Sequence, residues 1–214
     1  MFRLSDDDLK REIVACGDGP ASFNVEMTQQ IHRVISCDPL YQFAAGEIRQ
    51  RIDATWPSMV EFAQKNHSDF NWDTIRSPAE LGRVRRQAME LFLKDFERGR
   101  REGRYLVAAL PHLPFEDGAF GLALCSHLLF LYSQEFSETF HLDALVEMMR
   151  VASEVRVFPL IDRTGQRSVH LDHILGQLEQ KGWAWNIETV DYEFQRGGDQ
   201  MLRILGTKSR GRVQ

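Results

Sequence analysis

A short apolar run that stops at two glycines most constrains the fold of this chain. Residues 13–24 read IVACGDGPASFN, so three apolar residues and a cysteine lead into a turn of glycines, a proline and small residues. The run predicts a buried strand that ends at Gly17. Beyond the turn, apolar residues four apart predict a helix with one apolar face, formed by Phe23, Met27 and Ile31. The chain therefore begins with a strand, a glycine turn and a helix.

The same alternation recurs along the rest of the sequence. RVISC predicts a second buried strand, which DPLY ends because proline cannot continue a ladder. From residue 104 onward, strands are predicted in RYLVAAL, AFGLALC, EVRVFPL, AWNIETVDYEF and QMLRILGTK, with helices in HLDALVEMMRVAS and SVHLDHILGQLEQKGW. The last two strands are joined across QRGGDQ, a short glycine turn typical of a hairpin. We therefore predict an α/β fold of the Rossmann type: a doubly wound, mostly parallel seven-stranded sheet with an antiparallel C-terminal hairpin strand.

A helical insertion interrupts this alternation. Residues 42–103 predict two long amphipathic helices and no strand; the first carries Phe43, Ile48, Ile52, Trp56 and Val60, and the second Leu81, Val84, Ala88, Leu91 and Phe96. We predict a Rossmann-like domain in residues 1–41 and 104–208, a helical insertion or lid in residues 42–103, and a tail in residues 209–214. The aromatic residues of the insertion are expected first to pack its helices together, and its position on the ligand side also suits a lid.

Composition argues against several classes of protein. With 214 residues and a net charge of −5, the chain has no general attraction for nucleic acid. No stretch approaches the roughly 20 apolar residues that cross a bilayer, and the acidic N-terminus lacks the pattern of a secretory signal. The three cysteines are far apart and odd in number, which is typical of a reducing compartment. We predict a cytoplasmic protein without a nucleic-acid or membrane partner, and the sequence specifies no oligomeric state.

The first glycine turn lies where doubly wound sheets bind ligands, beyond the carboxyl ends of the strands. Gly17 and Gly19 allow a close approach of the backbone, and the following helix directs free N–H groups to the same place. Asp38 ends the next strand, where a carboxylate can accept hydrogen bonds from ribose hydroxyls. A dinucleotide and S-adenosylmethionine both suit this geometry. The dinucleotide fingerprint needs a glycine where this chain has Ser22, and Asp18 would repel a pyrophosphate, so S-adenosylmethionine is favoured.

These segments resemble the class I S-adenosylmethionine-dependent methyltransferases over nearly the whole chain apart from the insertion. ACGDGPAS is similar to the glycine loop beneath the methionine moiety, and SCDPLY to the strand end whose acidic residue binds the ribose. LPHLPFEDGAFGLALCSHLLFLY is similar to the loop and fourth strand of many members, and the long insertion with HLLFLYSQEFSETFHL resembles a bacterial branch of the family. The resemblance implies S-adenosylmethionine as the cofactor and methyl transfer to an acceptor, which we expect to be a small molecule.

The resemblance also implies the residues of the site. The methionine loop would contain Gly17, Gly19 and Pro20, directly after Cys16. Asp38 would bind the ribose, and Pro39, Leu40 and the Leu110 backbone would lie near the adenine. Ser126 and His127 would face the sulfonium and the acceptor. The cofactor-binding set is therefore Cys16, Gly17, Gly19, Pro20, Asp38, Pro39, Leu40, Leu110 and Ser126, and the catalytic candidates are His127 as a general base with Tyr132 and His141 lining an acceptor pocket.

Two further hypotheses stand beside methyl transfer. Ala15, Ala109 and Gly121 occupy positions where many family members carry acidic residues, which is consistent with a binding or regulatory protein that keeps the fold without efficient transfer. A nicotinamide-dependent oxidoreductase is a third hypothesis. No metal site is expected, because His170 and His173 form only a pair and zinc needs three or four ligands.

Overall fold

Seven strands form one sheet in the computed structural model, which describes residues 1–206. The tail predicted at residues 209–214 and the last two residues of the predicted final strand lie outside the described residues. The strands are β1 (Ile13–Cys16), β2 (Val34–Cys37), β3 (Tyr105–Leu106), β4 (Leu122–Ser126), β5 (Glu154–Phe158), β6 (Ala184–Thr189) and β7 (Gln200–Leu205). Their order is β3-β2-β1-β4-β5-β7-β6. The pairs among β1 to β5 are parallel, and β7 is antiparallel to both of its neighbours, which confirms the predicted fold class.

Helices cover both faces of the sheet because side chains alternate along each strand. The described helices are α1 (Asp6–Leu9), α2 (Phe23–Gln29), α3 (Ala45–Lys65), α4 (Pro78–Arg101), α5 (Glu138–Val151) and α6 (Leu171–Gln180). On β1, Val14 and Cys16 belong to the large core shared with α5 and α6. Ile13 and Ala15 face the opposite way, into a smaller core with side chains of α2. Both faces of β1 are therefore buried.

Three predicted elements end earlier than the sequence pattern indicates. Helix α2 ends at Gln29, so Ile31 lies outside it with a φ of +66° and is 93% exposed. Strand β3 has two residues rather than seven, since it pairs only with the end of β2. Strand β6 ends at Thr189, and the connection to β7 is longer than the predicted glycine turn because aromatic residues of this segment leave the sheet to pack against the helical insertion.

The helical segment between β2 and β3 contains the two predicted helices, α3 and α4. Leu81 and Phe96 of α4 are buried as expected, but Val84 and Leu91 are each 39% exposed. Phe92 is fully buried instead, since the C-terminal half of α4 packs on an aromatic cluster beside β3. This half of α4 is therefore fixed to the edge of the sheet, while the other half extends past the strand ends.

A network of buried charges lies at the start of β5, at the amino ends of the parallel strands and so at the opposite end from the glycine turn. Glu154 is 4% exposed and accepts hydrogen bonds from Arg11 at 2.8 Å, Arg156 at 2.8 Å and Arg203 at 2.7 Å. Arg156 also donates to Asp8 at 2.9 Å. Against the opposing effect of burial, hydrogen bonds from Ser5 and the charge of Arg156 lower the pKa of Asp8 to about 2, and the three arginines hold the pKa of Glu154 below its usual value. The network joins α1 to β5 and β7.

Within residues 1–206, no helix has both the length and the apolar composition needed to cross a bilayer.

Candidate functional site

The glycine turn after β1 presents one closed side and one open side. Gly17 has a φ of +65° and Gly19 a φ of +58°, a backbone region that side chains rarely adopt. A side chain at Gly17 would overlap Leu128, which packs directly against it. At Gly19, by contrast, nothing lies within 4 Å of the position that a Cβ would occupy. A ligand can therefore approach the backbone of the turn at Gly19.

Asp38 lies next to this open side. Its Oδ2 accepts a hydrogen bond from the Gly19 N–H at 2.9 Å, and its Oδ1 accepts one from the Leu40 N–H at 2.7 Å. Burial raises the pKa of Asp38, and the two backbone donors oppose that rise. Each carboxylate oxygen keeps a further lone pair for a ligand hydroxyl. Asp38 thus fixes the turn and faces the same opening, at the strand end where the sequence predicts it.

Asp18 points into the protein. The Ser36 hydroxyl donates to its carboxylate at 2.5 Å, and burial, together with the nearby charge of Asp38, raises the pKa of Asp18 to about 6. Asp18 would repel a pyrophosphate most strongly if its carboxylate faced the ligand. In the structure the Asp18 carboxyl group is buried and faces Ser36 instead, so this objection to a dinucleotide is weaker than the sequence indicates. Ser22 in place of the third glycine remains as the objection to a dinucleotide.

A chain of buried polar groups connects the turn to α4. Asn24 is fully buried; its amide donates to the Ser36 hydroxyl at 3.1 Å, and its carbonyl accepts from Arg104 at 2.7 Å. Arg104 pairs in turn with Asp95 of α4 at 2.7 Å. Sequence reasoning missed these residues because they are up to 80 positions apart, and a buried asparagine has no periodic signal. The turn and the insertion are thus mechanically linked.

We expect the stability of an Asp18→Asn variant to depend on pH differently from that of the wild type. The folded-state pKa of Asp18 lies above its unfolded value, so the folded protein holds the proton more tightly, and wild-type stability falls as pH rises from about 4 to about 6. Asparagine keeps the acceptor for Ser36 without the charge. The variant should therefore match the wild type near pH 4 and exceed it by up to about 3 kcal/mol above pH 7, measured by urea unfolding at both pH values. Parallel pH profiles for the two proteins would contradict this assignment.

A cavity of about 640 Å³ opens beyond the carboxyl ends of β4 and β5. The first half of α4 and the second half of α3 form one wall, and the connection between β6 and β7 forms another. This connection is held to the insertion, since the Asn71 N–H donates to the Phe194 carbonyl at 2.7 Å and the Phe70 and Phe194 rings stack at 4.9 Å. The cavity is lined by Thr55, Ser58, Met59, Phe62, Ala63, Phe70, Leu81, Arg85, His127, Leu131, Tyr132, Phe158, Pro159, Arg163, Tyr192, Phe194, Gln195 and Gly198.

His127 lies in the cavity wall directly after β4. Its φ is +54°, an uncommon conformation for a residue other than glycine, and its N–H donates to the Phe158 carbonyl at 2.7 Å. The ring Nδ1 lies 2.7 Å from the Ser126 hydroxyl. Burial, followed by the charge of Arg85, lowers the pKa of His127 to about 4. The imidazole is therefore neutral at pH 7, which lets it accept a hydrogen bond but makes it a weak base.

The structure places the other two catalytic candidates differently. Tyr132 lines the cavity, with the Arg163 guanidinium 5.7 Å from its ring centroid. His141 is not brought to the cavity: it is fully buried in α5, and its ring nitrogens lie 2.8 Å from the Ser137 carbonyl and 2.9 Å from the Leu129 carbonyl. Because both nitrogens face backbone carbonyl groups in the core, His141 has a structural position.

The predicted cofactor residues also lie beyond the carboxyl ends of the strands, near β2 and β3 rather than near the cavity at β4 and β5. Pro39 is exposed, Leu40 is half-buried and Leu110 is buried, all following the ends of β2 and β3. Cys16 is the exception, because its side chain faces the core. It pairs in register with Cys37 on one side and Cys125 on the other, and burial raises the pKa of both neighbours to about 12. The three cysteines are therefore buried free thiols.

Two of the three positions that depart from the family pattern, Gly121 and Ala15, have local explanations. At Gly121, an added side chain would overlap Arg11, which also donates to the Gly121 carbonyl. Ala15 is 3% exposed within an apolar core, where an unpaired carboxylate would be costly. His173 contacts Glu138 at 2.6 Å, and no group of potential metal ligands occurs in residues 1–206.

Comparison with known proteins does not establish the activity of this chain. No family model matches the sequence. Uncharacterized protein MJ0045 of Methanocaldococcus jannaschii is 29% identical over 209 residues, covering 95% of this chain and 90% of that protein.

Among solved structures, magnesium protoporphyrin IX methyltransferase of Synechocystis PCC 6803 with bound SAM has 13% identity and a TM-score of 0.46, covering 94% of this chain and 73% of its own. A TehB-like SAM-dependent methyltransferase of Corynebacterium glutamicum has 14% identity and a TM-score of 0.48. The match covers 93% of this chain and 81% of that protein. Because both TM-scores are below 0.5, neither likeness supports an argument about this chain, and the fold is assigned from the sheet itself. The chain has the mostly parallel, seven-stranded Rossmann-like fold that its resemblance to class I methyltransferases implies.

Proposed function

We propose that this chain transfers a methyl group from S-adenosylmethionine to a small-molecule acceptor. The observation that carries the proposal is the open glycine turn at Gly19 beside the Asp38 carboxylate, next to a separate cavity that begins at His127. Strand β1 ends at the turn and pairs with β4, which ends at the cavity. A cofactor position and an acceptor position are thus neighbours on one edge of the sheet, as group transfer requires.

The residues around the turn suit S-adenosylmethionine. Asp38 retains acceptor capacity for the ribose hydroxyls, and Leu40 and Leu110 offer apolar surface for the adenine. Gly19 leaves room for the ligand against the backbone, whereas Leu128 fills the space beside Gly17, so the cofactor would be held from the Gly19 side. When bound, the sulfonium supplies an activated methyl group. The protein then has to orient the acceptor and exclude water.

The cavity supports this division of labour. His127 is neutral at pH 7 and can accept a hydrogen bond from a hydroxyl or amine of the acceptor, which would orient its lone pair. With a pKa of about 4, His127 acts better in orientation than in removing a tightly held proton. Helices α3 and α4 cover the cavity, which supports the proposal that the insertion is a lid. Tyr132 lies at the same wall.

Thermal unfolding with ligands tests this proposal. S-adenosylmethionine and its demethylated product, S-adenosylhomocysteine, should each raise the Tm, whereas NAD should not. At 100 times its dissociation constant a ligand adds about 2.7 kcal/mol, which for a chain of this size corresponds to roughly 5–10 °C. No shift with either adenosyl compound at millimolar concentration would refute the proposal, and a shift with NAD alone would favour the oxidoreductase. Binding without transfer to any acceptor would favour the regulatory hypothesis.

A further inference from the structure

The acceptor cavity has an unusual charge for this protein. The chain as a whole has a net charge of −5. Yet among the residues of the described chain that line the cavity, none is aspartate or glutamate, whereas two are arginines. The cavity lining is therefore a locally positive region in a molecule with a negative net charge.

Arg85 carries the uncompensated part of that charge. It lies on the cavity side of α4 and makes no ion pair with any residue in the range 1–206, although its side chain remains accessible. Its helix neighbours behave differently, because Arg83 pairs with Glu80 at 3.1 Å and Arg86 pairs with Asp53 at 2.8 Å. Surrounding protein lowers the pKa of Arg85, but an arginine stays protonated at any physiological pH. This guanidinium therefore faces the cavity without a counter-charge.

Arg163, the second arginine, is already engaged. It pairs with Glu135 at 3.0 Å, and its guanidinium lies over the Tyr132 ring. Of the two arginines in the wall, Arg85 is therefore the one without a counter-charge among residues 1–206. A ligand with one negative charge matches it, whereas a polyphosphate would bring charges that nothing in the wall balances.

The rest of the wall is aromatic. Side chains from the insertion, from β5, from the turn after β4 and from the β6–β7 connection surround the same space, namely Phe62, Phe70, Tyr132, Phe158, Tyr192 and Phe194. The Arg85 guanidinium lies 5.9 Å from the centroid of the Phe194 ring, so the cation and the aromatic surface are contiguous. Aromatic walls favour flat apolar ligands that can stack or meet ring edges. The cavity thus presents one cation at the margin of an aromatic box.

We propose that this cavity binds an aromatic carboxylate, with the carboxylate group on Arg85 and the ring system among the aromatic side chains. The guanidinium can donate two parallel hydrogen bonds to a carboxylate, and no acidic side chain among the described residues of the lining competes for that contact. This inference rests on the proposed function in one respect: the bound aromatic acid is the class from which the methyl acceptor comes. The binding itself needs no cofactor.

Calorimetric titration with matched probes tests the inference. The probes are benzoate, 2-naphthoate and indole-3-acetate, each paired with its neutral carboxamide, with and without saturating S-adenosylhomocysteine. For the wild type we expect at least one carboxylate to bind about tenfold or more tightly than its carboxamide. Arg85→Met should remove this preference, whereas Arg86→Met, a charge loss on the same helix facing Asp53, should retain it. Because both arginines are exposed, both variants should unfold at the wild-type Tm.

Two results would overturn the inference: no carboxylate preferred over its amide in the wild type, or a preference that survives Arg85→Met. If Arg85→Met lowers the Tm, Arg85→Gln serves as the second variant under the same criteria. Titration with the adenosyl compounds distinguishes failure of this inference from failure of the proposed function. If an aromatic acid binds and the adenosyl compounds do not, the methyltransferase proposal is refuted and this inference holds. If the adenosyl compounds bind and no carboxylate is preferred, this inference is refuted and the methyltransferase proposal holds.

Discussion

Replacing Asp38 with alanine should weaken the binding of S-adenosylmethionine about 100-fold, or about 2.7 kcal/mol, because two charge-assisted hydrogen bonds to the ribose are lost. The same change frees the N–H groups of Gly19 and Leu40, which Asp38 now holds at 2.9 and 2.7 Å. Both losses act in the same direction. Calorimetry of the variant and the wild type at one pH and salt concentration measures the difference.

Two further variants separate the ribose contact from the support of the turn. Asp38→Asn keeps the shape and one acceptor oxygen, so its affinity should lie between those of the wild type and Asp38→Ala. Asp143→Ala removes an exposed carboxylate from α5 and should leave the affinity unchanged. Unaltered cofactor affinity in Asp38→Ala would remove the ribose role from this residue, whatever the other variants do.

Glu154→Gln is expected to lower the free energy of unfolding by about 3–5 kcal/mol, the usual cost of breaking a buried ion pair from one side. The glutamate accepts hydrogen bonds from three arginines, and Arg156 is itself only 3% exposed. Glutamine keeps the volume but leaves these guanidinium groups without their shared counter-charge. Urea unfolding at pH 7 measures the loss.

An exposed pair provides the matched control. Asp172→Asn breaks the ion pair between Asp172 and Arg167. Both side chains of this pair are largely solvated, so the change should lower the free energy of unfolding by less than about 1 kcal/mol.

The buried network also predicts that the stability of the protein falls in acid. Its carboxylates have folded-state pKa values below their unfolded values, so the stability they contribute is present above pH 4 and is lost as pH falls toward 2. Equal losses for the two variants would show that the buried network contributes little.

Much of the fold follows from local sequence signals. Short apolar runs predict seven strands, and the predicted bounds are correct at β1 and within one residue at β2. Errors occur at the margins, where tertiary partners decide. Strand β3 has no partner beyond the end of β2, and Tyr192 leaves the line of β6 because the insertion offers it an aromatic surface.

The site divides in the same way. Gly19, Asp38 and His127 could be predicted because each follows a strand and strand ends share one edge of the sheet. Arg85 could not, since an arginine among other arginines on an amphipathic helix has no local mark that separates it from Arg83 or Arg86. Only the fold of α4 over the cavity distinguishes it. His141 was wrongly expected at the pocket, because proximity in sequence to β4 does not reveal that α5 turns it into the core.

The central claim is that the turn at Gly19 and Asp38 binds S-adenosylmethionine. Its most direct test is a calorimetric titration of the wild-type protein with that compound, followed by competition with S-adenosylhomocysteine. We expect one site per chain, a sub-millimolar dissociation constant and full displacement by S-adenosylhomocysteine. Absence of saturable binding at millimolar concentration, or binding that Asp38→Ala leaves intact, would contradict it.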